Sequence, residues 1–331
     1  MKAAFVVGPC KIEVREVPDY NLDKDDVMVK VKYCGICGSD LHIYTSGAAV
    51  ALGHEVTGDI AAVGEDVKEW KVGDRVLPTG RGGCGECCWC KQGKTGLCEA
   101  SFKRFMASTG SFTTYKKVKH TCLYKLPDHM SHEEAAMVEP TSCALHAVRQ
   151  AGMKEGDTVA VFGMGAIGQL TARVAKALGA GAVYAAEISP DRIALARGAV
   201  DEVIDAKTTD SVARILELTD GMGADVVFEC AGSVPTTQQS MAVVRKAGII
   251  VIVGICFDWV TLPVSSIMLK ELTLTGALNS TRDEFTESYE LIRDKKIDIK
   301  SLATHKMPLD DINEAFEMAE RSECGKILIE P

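Results

Sequence analysis

Thr158-Val159-Ala160-Val161-Phe162-Gly163-Met164-Gly165-Ala166-Ile167-Gly168 decides the fold of this chain. An apolar five-residue run leads into Gly-x-Gly-x-x-Gly, and a helical pattern follows over 166–178, closed by Gly179. The glycine pattern alone is a weak match. Between a strand and a helix it has the context that dinucleotide binding requires. Gly163 permits the tight turn, Gly165 lets the backbone approach a pyrophosphate, and Gly168 lets helix and strand pack closely. Ala166 and Ile167 open the helix, whose first N–H groups face the anion. Glu187 ends the next strand, 19 residues after Gly168. A carboxylate there accepts the ribose hydroxyls of NAD and repels a 2′-phosphate. Arg192 is near enough to favour NADP instead, so the expectation is NAD, with NADP as the alternative.

Working outward, strands and helices alternate. Residues 182–186 read as a strand, 191–197 as a helix, and Ala224–Glu229 and 248–253 as strands. This is the rhythm of a doubly wound parallel sheet. Upstream the character changes. Val27, Val29, Val31 and Tyr33 alternate with Met28, Lys30 and Lys32, the period of a half-buried strand. Glycines at 35, 38, 53, 58, 64 and 73 punctuate short strands, which suggests a small barrel or sandwich. Helical stretches at 132–137 and 142–151 bridge the two regions. After them come helices at 284–293 and 312–322 and a closing strand at 326–329. The expected class is α/β, a β-rich N-terminal domain joined to a doubly wound parallel-sheet domain.

The 331 residues suffice for two domains with real cores. A net charge of −9 argues against nucleic acid or an anionic membrane as the main partner. The N-terminus has no apolar leader pattern and reads as a first strand. The longest apolar stretch, 248–257, is far below the roughly 20 residues of a spanning helix. Thirteen cysteines without a secretory pattern suggest metal binding in a reducing cytoplasm.

Four of these cysteines, Cys84, Cys87, Cys90 and Cys98, have the spacing C-x2-C-x2-C-x7-C. Four thiolates so close in sequence can close a tetrahedron around one Zn²⁺ and leave no open position, so this reads as a structural zinc lobe. Cys88 breaks the spacing and is a bystander. A second set lies upstream in Cys34-Gly35-Ile36-Cys37-Gly38-Ser39-Asp40-Leu41-His42 and Gly53-His54-Glu55. Cysteine, histidine and carboxylate suit a catalytic zinc with one open position. Spacing alone gives Cys37, His54 and one carboxylate, with Cys34 as a competing thiolate.

At this point the chain resembles the zinc-dependent medium-chain alcohol dehydrogenase family over nearly its whole length. Gly53-His54-Glu55-x2-Gly58-x5-Gly64-x2-Val67 matches that family's zinc signature, and Cys37-Gly38-Ser39-Asp40-x-His42 its first ligand segment. The lobe and the glycine motif follow in the family's order. The resemblance implies a GroES-like catalytic domain over 1–140, with the lobe at about 81–100. A Rossmann domain would cover 141–278, and 279–331 would return to the catalytic domain. It makes Cys37 and His54 zinc ligands, Cys34 a core thiol and Glu55 a neighbour able to reach the metal. It also puts the third ligand at Glu139, in the Glu-Pro variant of the sorbitol and threonine dehydrogenase branch, binding directly or through water. Ser39 would take the substrate proton, His42 would form the outer end of the relay, and Asp40 would orient the histidine ligand.

The implied reaction is hydride transfer between a small, polar, secondary alcohol and NAD, giving a ketone or aldehyde, in a homodimer or homotetramer. Two features turn the expectation away from sorbitol itself. Only ten residues separate His42 from Gly53, and 276–281 lacks the arginine that sorbitol dehydrogenases carry there. The competing readings are a zinc-free NAD(P)H reductase of the same superfamily and a non-catalytic NAD-binding protein. His146 is expected to pack within its helix, and His120, His129, His132 and His305 to lie on the surface.

Overall fold

The computed structural model describes residues 1–80, 83–106 and 110–331, so residues 81 and 82 of the expected lobe lie outside the described residues. Internal contacts divide the chain into two units. One comprises Met1–Glu139, Thr281–Lys295 and Ile299–Pro331; the other comprises Pro140–Ser280 and Lys296–Asp298.

The first unit begins with an antiparallel pair, β1 (Lys2–Gly8) and β2 (Lys11–Glu16). It continues with β3 (Asp26–Gly35), β4 (Glu55–Val63), β5 (Arg75–Pro78), β6 (Tyr115–Lys119) and β7 (Leu123–Lys125). The alternation expected over 27–33 is realised in β3. Val27 and Val29 are buried with Ile60, Val76 and Leu123, while Lys30 faces solvent. The parallel sheet of the second unit contains β8 (Thr158–Phe162), β9 (Ala182–Glu187), β10 (Glu202–Asp205), β11 (Ala224–Glu229), β12 (Val244–Ile252) and β13 (Thr273–Gly276). Their order is β10-β9-β8-β11-β12-β13, so the winding reverses between β8 and β11. β12 starts four residues before the expected 248. Its register breaks where Ala247 adopts φ +55°, a bulge that sequence pattern does not reveal.

The chain then returns with β14 (Ala303–Pro308) and β15 (Lys326–Glu330) to the first unit's larger sheet. That sheet runs β14-β15-β3-β4-β5-β7, with β6 added beside β3. β15 pairs with the end of β3 at Cys34 and Gly35. Thus the last strand lies against the segment that carries the first expected metal ligands. The nine-residue helix Gly38–Ser46 starts there, inside the region read as β-rich. It has no apolar stripe to announce it. Its order comes from its ends. Asp40 Oδ2 accepts from the Cys37 N–H at 3.0 Å, and Gly47 closes it at φ +74°. Among the described residues, no helix is long and apolar enough to cross a membrane.

Candidate functional site

The mixed site is built where β3, the helix after it and β4 meet. Ligand atoms of Cys37, His54 and Glu55 lie within 4.8 Å of one another. Cys37 caps the helix Gly38–Ser46, and Glu55 opens β4. Asp40 is fully buried behind them. Its Oδ1 lies 3.6 Å from His54 Nδ1 and accepts from the Gly53 N–H at 3.4 Å. The same carboxylate therefore caps the helix and faces the histidine. Burial alone would lower the His54 pKa, but Asp40, Cys37 and Glu139 hold it well above the ordinary histidine value. A metal ion held there would displace that proton, because histidine ligates in its neutral form.

Glu139 influences His54 and Glu55 electrostatically but lies outside the close trio. Glu55 is inside it. Both Glu55 oxygens accept from Lys326 Nζ, at 2.6 and 2.7 Å, and the third contact of that ammonium is the Ile36 carbonyl at 2.9 Å. Both side chains are buried, with 0% and 2% exposure. Burial alone would favour neutral lysine, yet Glu55, Cys37 and Glu139 raise the Lys326 pKa. Gly35 makes the room: a Cβ there would sit 2.1 Å from Glu55 Oε2. Lys326 escaped the sequence reading because 271 residues separate it from Glu55. The one signal was a lysine opening an otherwise apolar closing strand.

Ser39 is half-buried and His42 exposed, both on the helix that Cys37 caps. Cys34 is fully buried in β3, and burial pushes its thiol well up, as expected of a core thiol. His132 departs from the expectation of a surface residue. Its side chain is only 12% exposed, with Nδ1 2.9 Å from Thr57 Oγ1 and Nε2 3.1 Å from Asp59. Arg75 completes this network from β5. Long-range packing of the helix His132–Ala136 on β4, invisible in the local sequence, buries it.

The four lobe cysteines converge as their spacing requires, with all four sulfurs within 4.8 Å. Cys87 Sγ and Cys84 Sγ lie 3.4 and 4.0 Å from Cys90 Sγ. Sulfurs at about 2.3 Å from a tetrahedral zinc would stand about 3.8 Å apart, so the donor set fits that ion. Backbone N–H groups already point at the sulfurs, from Cys84 to Cys98 and from Cys87 to Cys84, each at 3.3 Å. The Cys84 N–H and Ser101 bring the Cys98 thiol down to about 5. Cys88 is exposed and outside the set.

In the second unit, Gly163 has φ +88°, and a Cβ on Gly168 would sit 1.9 Å from the Gly163 carbonyl. A Cβ on Gly165 would meet nothing closer than the Arg192 guanidinium, at 3.6 Å. Thus the first and third glycines serve the turn and the packing, while the second faces open space. The helix Ala166–Ala177 starts with no side-chain cap. Glu187 is nearly buried. Its Oε2 accepts from the Met164 N–H at 2.6 Å, and its Oε1 from Ile188 and Ser189 at 2.7 and 2.9 Å. The acid at the end of β9 is thereby held against the glycine loop.

Comparison with known proteins agrees with this arrangement. Residues 23–128 match the alcohol dehydrogenase GroES-like domain, and residues 166–294 match the zinc-binding dehydrogenase family. The chain is 34% identical to sorbitol dehydrogenase of Bacillus subtilis (strain 168), covering 100% of this chain and 97% of that protein. The crystal structure of 2R,3R-butanediol dehydrogenase from Bacillus subtilis superposes with a TM-score of 0.88 at 35% identity, covering 100% and 99% of the two chains. A zinc-binding dehydrogenase from Sinorhizobium meliloti 1021, bound to NADP, gives 0.90 at 29% identity with coverage of 100% and 99%. These matches span both units and all three candidate sites, and the chain belongs to the zinc-dependent medium-chain alcohol dehydrogenase family, in its polyol dehydrogenase branch.

Proposed function

We propose that this chain oxidises a small, polar, secondary alcohol to a ketone, or runs the reverse reduction, with zinc at the mixed site and NAD as cofactor. The observation that carries this reading is the convergence of Cys37, His54 and Glu55 with Asp40 behind them. Cys37 and His54 would hold the metal, with Glu139 as a third donor, directly or through water, and Glu55 as a carboxylate able to exchange with it. Zinc held there supplies Lewis-acid polarisation of the substrate oxygen, and the nicotinamide takes or returns the hydride. Asp40 orients His54, which fixes its tautomer and basicity. Ser39 takes the hydroxyl proton, and exposed His42 passes it to water. Cys84, Cys87, Cys90 and Cys98 would hold a second, structural zinc.

Glu187 at the end of β9 supports NAD, since a 2′-phosphate would approach a carboxylate. Arg192 over Gly165 is the feature that NADP would use. The edge strand β13 and its flanks carry exposed Leu274, Leu278, Met268 and Leu269, which supports a closed homodimer or homotetramer through that edge. A reducing cytoplasm suits a chain whose cysteines are read as zinc ligands and free thiols. The test is a screen by absorbance of reduced cofactor, with NAD and NADP, over diols, polyols and 3-hydroxy amino acids. Turnover of a polar secondary alcohol with NAD is expected. No turnover across the panel with zinc-loaded protein would contradict the reading, and a preference for NADP would reassign the cofactor to Arg192.

A further inference from the structure

Glu229 ends β11 with its side chain fully buried, and no step of the reaction uses it. Its Oε1 accepts from the N–H groups of Ala231 and Gly232 at 3.0 and 2.9 Å and from Thr236 Oγ1 at 2.7 Å. Its Oε2 accepts from the Gly232 N–H at 3.2 Å. The carboxylate thereby folds loop 230–233 onto the start of the helix Val234–Val243, where the helix field favours an anion. The Glu229 main-chain carbonyl accepts from the N–H groups of Val253 and Gly254, each at 2.8 Å, and so fastens the loop after β12.

These loops leave no space for side chains between them. A Cβ on Gly254 would lie 2.2 Å from the Gly232 nitrogen and 2.9 Å from Glu229 Oε2. One on Gly232 would lie 2.4 Å from the Ile255 carbonyl, and one on Gly163 would lie 2.8 Å from Ala231 Cα. The loops after β8, β11 and β12 are therefore closely packed; the Glu229 carboxylate fastens the loop after β11, its main-chain carbonyl fastens the loop after β12, and Gly254 packs against both Gly232 and Glu229 Oε2.

All three loops leave the C-terminal ends of parallel strands; those after β8 and β11 flank the point where the strand order reverses, and the loop after β12 lies beside them. A dinucleotide lies across such a crevice, one mononucleotide on each half of the sheet. The half formed by β8, β9 and β10 carries the glycine loop and Glu187, which suit the adenosine ribose and the pyrophosphate. The half formed by β11, β12 and β13 is left for the nicotinamide, and Glu229 stands in that half.

We propose that Glu229 is a positioning residue for the nicotinamide end of the cofactor, shaping loops 230–233 and 253–255 without touching the adenosine end. Removing the carboxylate would take the acceptor from the N–H groups of Ala231 and Gly232, on the nicotinamide side alone, and release the loop they hold. The inference rests on the nicotinamide-cofactor reading above. The experiment compares NADH with ADP-ribose, which lacks the nicotinamide, by titration calorimetry on the full chain. If the wild type prefers NADP, the pair becomes NADPH and 2′-phospho-ADP-ribose.

For Glu229→Ala, which removes the acceptor outright, the Kd for NADH should rise about tenfold or more, with the Kd for ADP-ribose within about twofold of wild type. Thr236→Val removes one donor to the carboxylate and should give the same split at about threefold, and it carries the test if Glu229→Ala does not fold. Parallel weakening of both ligands, or no change in either, would overturn the proposal, because a residue that only supports the fold shifts both ligands alike. Wild-type affinity for NADH or NADPH reports on the cofactor reading, and only the split reports on Glu229.

Discussion

The four-cysteine lobe and the mixed site hold similar donor atoms but are made in opposite ways. The lobe draws all its sulfurs from one run of fifteen residues, Cys84 to Cys98, on short helical turns and loops. Gly83 leaves room for Cys90, since a Cβ there would sit 2.0 Å from Cys90 Sγ. A chain segment of this kind needs its metal to be ordered, because it buries little else. The mixed site instead hangs on a finished sheet. Cys37 follows β3, Glu55 opens β4, and Lys326 arrives on β15. Its frame is a buried apolar core that includes Cys34, Leu52, Val56 and Ile327, so the frame is expected to hold when the metal is lost. The difference teaches which losses harm the fold and which harm the chemistry.

Substitution of Cys37 by Ser should have the largest effect. Turnover should be abolished while the thermal transition and far-ultraviolet circular dichroism stay near wild type. If unfolding temperature falls as far as activity, the mixed site is a folding element and the contrast fails. Ser39→Ala comes next, with a loss in kcat above the roughly 10²–10⁴-fold of a single acid–base group, because Ser39 is proposed to touch the alcohol oxygen itself. A small change in kcat would move the proton transfer to solvent.

Lys326→Met probes the one place where the mixed site and the core are the same object. It leaves the Glu55 carboxylate buried without its counter-charge, which costs about 3–5 kcal/mol. Denaturant titration should show that loss, and Lys326→Arg should recover part of it. A methionine variant as stable as wild type would mean that Glu55 is neutral there, and that burial, which pushes its carboxyl up, outweighs the pull of Lys326.

Glu187→Ala should weaken NAD binding about 10–100-fold, the range for hydrogen bonds to a charged group, and improve NADP relative to NAD. Unchanged discrimination would assign selectivity to Arg192. The smallest effect is expected of His42→Ala. A relay end exposed to water is partly replaced by water, so the loss should stay below about 10²-fold. A pH–rate profile that does not move would remove His42 from the proton path.

The same contrast explains what could be read in the sequence. The glycine motif, the strand before it and the acid after it are local, and β8, the helix Ala166–Ala177 and β9 stand where the pattern predicts. The lobe is local too, so its four cysteines were legible by spacing. Cys37, His54, Asp40 and Glu55 were legible because they fall on two short segments with strong motifs. Lys326 and the burial of His132 were not, since each depends on pairing between distant strands or on a helix packed over a sheet. Glu229 looked like the end of an ordinary strand. Its role comes from backbone N–H groups, which leave no mark in side-chain pattern.

The central claim is that one chain carries a structural and a catalytic zinc that are independent of each other. Metal analysis of the purified protein tests it most directly, with wild type compared to Cys37→Ser and Cys90→Ser. The account predicts two zincs per chain in wild type. It predicts one zinc in Cys37→Ser, with the fold kept, and in Cys90→Ser a lobe that loses both metal and stability. A wild-type protein that holds one zinc under zinc-replete preparation, or a Cys37→Ser protein that still holds two, would contradict it.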